Sequence, residues 1–133
     1  LSGVHADDPA LLYGRARALV ELNRPADALP LLDRLGEHGE KARTPEAALL
    51  MARAYQALGR LSEADGAYDW AAPRMAGLEG MARYAAFLAE VGREREAREM
   101  VAELERRYAK VTGPFRREAA GWKAFAAERV PQG

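Results

Sequence analysis

Three sets of small or turn-forming residues recur in step along this chain. Ala16, Ala52 and Ala85 are separated by 36 and 33 residues, and the same separations relate Ala28, Ala64 and Ala97. Asn23, Gly59 and Gly92, residue types suited to ending a helix, keep that register as well. Three independent landmarks sharing one period are the mark of an internally repeated architecture, in which each supersecondary unit buries its apolar face against the next. A small side chain at a fixed place in each period lets neighbouring backbones approach closely, because interaxial distance follows the side chains at the contact.

The local pattern between these landmarks is helical. Leu12, Ala16 and Leu19 fall at three- and four-residue steps, as do Ala48, Ala52 and Tyr55, and then Met81, Ala85 and Leu88. No stretch alternates with the two-residue period of a strand. Asp8-Pro9, Thr44-Pro45 and Gly113-Pro114 each set a capping-type residue before a proline suited to a first helical position. The spacing predicts seven helices, over about 9–22, 25–35, 45–58, 61–72, 78–91, 94–111 and 114–129. Turns near 23–24, 59–60 and 92–93 are short, so the helices they join are expected to pack antiparallel. Pro30 falls inside the second helix, where the lost backbone bond costs about 3 kcal/mol, and that helix is expected to kink or to begin late. The connection "GEHGEKART" is long for its place and is expected to bulge or move.

Ala48, Met51, Ala52 and Tyr55 on one helix, then Gly59, then Ala64, Tyr68 and Ala71 on the next, resemble a tetratricopeptide repeat, whose period is about 34 residues. Weaker forms of the pattern stand at Leu12, Arg15, Ala16 and Leu19 with Ala28, Leu32 and Leu35, and at Met81, Tyr84, Ala85 and Leu88 with Ala97, Val101 and Leu104. The resemblance implies an all-α fold, a right-handed α-solenoid of antiparallel helix pairs. It reads 1–133 as a single domain with repeats at 9–43, 44–77 and 78–111 and a capping helix at 114–129. Phe115, Ala119 and Trp122 follow Met81, Ala85 and Leu88 by 34 residues, so this last helix is expected to seal the terminal repeat. The family's proline near each repeat end is absent at Glu40, Ala76 and Ala109. The chain opens on "LSGVHADDP" without Met and reads as a fragment of a longer protein, whose targeting or membrane segment would lie upstream.

Composition narrows the function classes. Twenty basic residues balance twenty acidic ones, so no nucleic-acid partner is expected. Seventeen of the cations are Arg, a bias in keeping with a bacterial source. There is no cysteine, which removes disulfides, thiol nucleophiles and zinc–thiolate sites. No apolar run approaches the roughly 18 residues of a membrane span, and a cytoplasmic domain without membrane contact is expected. His5 and His38 both fall in connections and lack a partner at one-turn spacing, so neither a metal nor a cofactor is expected. Glu94 with Arg98 and Glu103 with Arg107 sit at the spacing of exposed helix pairs. With no phosphate loop and no convergent acid, base or nucleophile, the chain reads as a non-enzyme.

The resemblance implies that first helices line a concave face on which extended peptides bind. The positions opposite the small-residue seam are Tyr13, Arg17 and Glu21, then Leu49, Arg53 and Gln56, then Arg83 and Glu90, with Arg116 and Lys123 on the capping helix. More cations than carboxylates fall there, which predicts an acidic peptide or protein partner. The clamp that some members use for peptide carboxylates is not present, since its positions hold Tyr13, Arg17, Leu50, Glu79 and Arg83. Two other readings remain open: a self-association module dimerising through Leu11, Leu12 and Val20, and a regulatory or docking domain of a larger enzymatic or membrane-tethered protein. Trp122 matches a core position. Trp70 is expected to be structural if the next repeat or the 36–44 connection covers it, and an interface anchor if exposed.

Overall fold

A computed structural model of the chain describes residues 7–132. Among them are seven α-helices and no strand: α1 (Pro9–Glu21), α2 (Pro25–Gly36), α3 (Pro45–Ala57), α4 (Leu61–Ala71), α5 (Glu79–Glu90), α6 (Glu94–Tyr108) and α7 (Arg116–Arg129). Single 3-10 turns occupy Glu40–Ala42, Ala72–Arg74 and Gly113–Phe115. The chain forms two compact units, one ending at Ala71 and the other beginning at Ala72. In the first unit α1 packs on α2, α3 packs on α4, and α3 also touches α1 and α2. In the second, α5, α6 and α7 all contact one another.

Helix starts follow the local chemistry. The Asp8 carboxylate accepts the Ala10 amide proton at 3.0 Å, and the Thr44 hydroxyl accepts that of Ala47 at 3.1 Å, each with proline at the start of the helix. Gly113-Pro114 acts differently. It opens a 3-10 turn with Gly113 at φ 61°, and α7 starts only at Arg116. Phe115 thereby leaves the face it was expected to share with Ala119 and stands 71% exposed.

The three turns predicted from the repeat are built alike. Asn23, Gly59 and Gly92 take positive φ of 61°, 77° and 86°. In each, the following arginine amide reaches back five residues: Arg24 donates to Leu19 at 2.8 Å, Arg60 to Tyr55 at 2.9 Å and Arg93 to Leu88 at 2.8 Å. The turn residue itself donates three residues back, to Val20, Gln56 and Ala89. This pair of bonds is the Schellman motif, which satisfies carbonyls that a helix end otherwise strands. Each arginine then clasps the first turn of the next helix. Arg24 Nε donates to Asp27 at 2.9 Å, Arg60 Nε to Glu63 at 2.7 Å and Arg93 Nε to Glu96 at 2.8 Å.

The small-residue seam is sealed. Ala16, Ala28, Ala52, Ala64, Ala85 and Ala97 have no exposed surface. In the first unit Leu12, Leu32, Leu35 and Leu50 pack with Ala16 and Ala28, and Val20 lies against that cluster. Leu12 is therefore interior and drops out of the dimerising patch expected from Leu11, Leu12 and Val20, whose other two members keep partial exposure. In the second unit Leu88 and Leu104 are buried with Ala85 and Ala97. Gly80 allows a close approach there: a Cβ would meet the Ala72 Cα at 3.1 Å and the Met75 sulfur at 3.0 Å.

Pro30 does not delay α2, which starts at Pro25 and runs through Gly36 with the proline inside it. Pro30 and Ala26, the residue whose carbonyl loses its partner, both lie on the exposed face, where water can replace the missing bond. The 36–44 connection contains one turn of 3-10 helix. Its 3-10 turn is held beside Gly36, whose carbonyl accepts from Arg43 Nε at 3.2 Å.

Candidate functional site

Each group of expected ligand-contacting positions sits on the helix predicted for it, but their side chains are engaged to very different degrees. In the first unit Tyr13, Arg17 and Glu21 follow one stripe of α1. Arg17 and Glu21 pair with each other at 3.3 Å and remain mostly exposed. An exposed pair of this kind contributes at most about 1 kcal/mol. Tyr13 is half-buried and lines a shallow cavity of about 340 Å³ with Pro9, Lys41 and Glu46.

On α3 the expectation fails at one position and is modified at another. Leu49 is only 3% exposed, so it belongs to the interior and presents no surface to a ligand. Its neighbour Leu50 is buried too, so this helix is covered on more than one side. Gln56 accepts a hydrogen bond from the buried Tyr68 hydroxyl at 2.6 Å. A buried phenol without a partner is costly, and Gln56 supplies one. Arg53 is half-buried on the same helix. Next to Gln56, burial pushes the Tyr55 phenol above its ordinary pKa, reinforced by the negative charge of Glu63, and the Arg60 guanidinium lies 4.8 Å from the ring centre.

In the second unit the predicted cations serve internal aromatic contacts. Arg83 Nε donates to Glu79 at 2.9 Å, and its guanidinium lies 5.0 Å from the Trp122 ring centre and 5.5 Å from that of Phe125. Trp122 meets Phe125 edge-on at 5.3 Å. It is half-buried and lines an open cleft, so it does not reach the core position that its register suggests. Arg116 and Lys123 both address Tyr108, at 4.2 Å and 4.7 Å from its ring centre. Arg116 also donates to the Val111 carbonyl at 3.0 Å, which binds the start of α7 to the end of α6. Glu90 stays on the exposed surface of α5.

Two larger cavities escaped the sequence reading. One, of about 570 Å³ in the first unit, runs between the α2–α3 joint and Trp70, with Met51 and Ala48 in its floor and Arg43 and Glu40 at its side. Trp70 is 40% exposed, so the 36–44 connection does not cover it. The other, of about 640 Å³ in the second unit, opens at the α6–α7 joint. Leu78, Val111, Phe115 and Trp122 give it an apolar lining, and Arg107, Lys110 and Glu118 bring charge. The missed signal lay in charge order: residues 106–117 hold five cations and no carboxylate.

Among the described residues no group of His, Asp and Glu is placed to hold a metal ion, and none of the helices is long and apolar enough to cross a membrane. His38 is exposed, and His5 lies outside the described residues. Comparison with protein-family models, with curated proteins and with solved structures finds no match to this chain.

Proposed function

We propose that this chain is a non-catalytic protein-interaction module of the tetratricopeptide kind, a solenoid of antiparallel helix pairs that binds an acidic peptide or partner protein along its first helices. The observation that carries this reading is the threefold identity of the turns at Asn23, Gly59 and Gly92, coupled to fully buried alanines on either side of each. That combination supports a stack of like helix pairs, and such stacks act through extended surfaces rather than a single catalytic pocket. The exposed Arg17 and the half-buried Arg53 place positive charge on α1 and α3 of one unit.

The test is direct binding of a fluorescein-labelled glutamate-rich peptide, followed by anisotropy. Charge reversal at Arg17 and Arg53 together is expected to weaken binding about tenfold or more, since each charge-assisted contact carries about 1.5–3 kcal/mol and 1.4 kcal/mol is a factor of ten. The helical circular dichroism should not change, because both substitutions avoid the core. Unaltered affinity in the double variant would remove the α1–α3 surface from the proposal.

A further inference from the structure

We infer that the cleft at the α6–α7 joint is a docking site for one large apolar side chain of an acidic peptide segment, with Arg107 and Lys110 holding the segment's flanking carboxylates. The inference rests on the reading of the chain as a peptide-binding module and supplies a place and a ligand pattern for it.

The cleft has the composition of a recognition site. Its volume of about 640 Å³ lies within the roughly 300–1,000 Å³ usual for ligand clefts. Phe115 is the most exposed large apolar residue described, at 71%, and it stands on this cleft because the Gly113-Pro114 turn swings it away from the α7 core face. An aromatic exposed on the lip and a second, Trp122, half-buried within are the arrangement of an anchor pocket. An apolar ligand alone would satisfy that lining.

The charge decides the occupant. Although the whole chain is neutral, its α6–α7 joint carries Arg106, Arg107, Lys110, Arg116 and Arg117 within twelve residues. Their local compensation is incomplete. The single Glu103 carboxylate serves both Arg106 and Arg107, and it lies 3.8 Å from the latter. The Lys110 ammonium makes no direct hydrogen bond or salt bridge among the described residues, and the carboxylate whose charge it feels is the same Glu103. One carboxylate, Glu118, lies in the lining and opposes an acidic ligand. Positive charge therefore extends along the joint farther than one small carboxylate needs, which suits a chain with several. A nucleic acid is the less favoured polyanion, because Glu103, Glu105 and Glu118 bracket the cationic run and would repel a continuous phosphate backbone.

The experiment uses Trp122 as the reporter. Trp70→Phe leaves it the only tryptophan of the chain. Into this variant is titrated a short peptide with one phenylalanine flanked by glutamates on both sides. Saturable change in Trp122 emission is expected. Loss of at least tenfold in affinity should follow Lys110→Glu or Arg107→Glu, and a similar loss should follow exchange of the peptide's phenylalanine for serine. Glu118→Gln should tighten binding severalfold, an outcome that a purely apolar site would not give. Binding of octanoate or oligouridylate in preference to the peptide would overturn the assignment, as would indifference to Lys110, Arg107 and Glu118. Should the peptide bind with sensitivity to Arg17 and Arg53 alone, this cleft is excluded while the broader module survives. No saturable binding of any acidic peptide would end both.

Discussion

At the residue scale, two glycines in helices have opposite prospects. Gly66 lies inside α4 with open space where a Cβ would project, so Gly66→Ala should gain up to about 1 kcal/mol of helix propensity and raise the denaturant midpoint. Gly80 gains the same propensity on replacement, but its added methyl would press on the Ala72 backbone at 3.1 Å. Met75 can swing its flexible end aside, whereas the Ala72 backbone cannot. Overpacking of this kind costs about 1–3 kcal/mol, so Gly80→Ala should be destabilising on balance. Equal midpoints for the two variants would contradict the close approach. Neither outcome is legible from sequence, where both glycines are simply helix weaknesses. The same limit applies to Leu49 and Leu50: adjacent leucines on an apolar helix give no sign that both turn inward, because a helix buried on more than one side loses the stripe on which such a reading depends.

At the scale of elements, the turns carry the prediction. Gly59 and Gly92 hold backbone conformations that a Cβ disfavours by roughly 1–2 kcal/mol, so Gly59→Ala and Gly92→Ala should each lower the midpoint by about that amount. Asn23 already pays part of that strain, and Asn23→Gly should be neutral or mildly stabilising. Thr44→Ala, which removes the hydroxyl cap at the start of α3, should cost about 1 kcal/mol. Chemical denaturation of the four variants side by side checks the order. Helix positions were readable because their signals are local: a proline at a start, a glycine or asparagine at an end, and alanines in register between them. Observed and expected boundaries accordingly differ by no more than one residue in the first five helices. The larger errors fall at the α6–α7 joint. There α6 stops at Tyr108 instead of continuing to residue 111, and a 3-10 turn displaces the start of α7. Alanine at 109 gave no stop signal, and a Gly-Pro pair serves a 3-10 turn as readily as an α-helical start.

At the scale of the whole molecule, charge is at the surface: among the described residues no charged side chain is buried. Stability should therefore respond to acid through exposed clasps. Hydrogen bonds from Arg93 hold the Glu96 carboxyl below its ordinary value of 4.5, and those from Arg106 do the same for Glu103. The folded chain then binds fewer protons there than the unfolded chain. The contribution is complete above the ordinary value and is lost as pH falls through it toward the depressed folded values. Thermal midpoints should fall between about pH 6 and about pH 3, and Glu103→Gln should flatten part of that slope. An unchanged slope would show that Glu103 titrates alike in both states. The candidate sites were less legible than the helices because they depend on which cations remain uncompensated after folding. Arg83, Arg116 and Lys123 look available in a string of letters, yet each lies over an aromatic ring. Lys110, which the repeat register passes over, forms no direct ion pair and shares the Glu103 carboxylate with Arg106 and Arg107. The two backbone bonds of each of the three like-built turns come from one run of six consecutive residues, and the arginine clasp reaches only three residues farther. Each of these three helix pairs therefore carries the chemistry of its own turn within itself, and a substitution in one turn leaves the bonds of the other two intact.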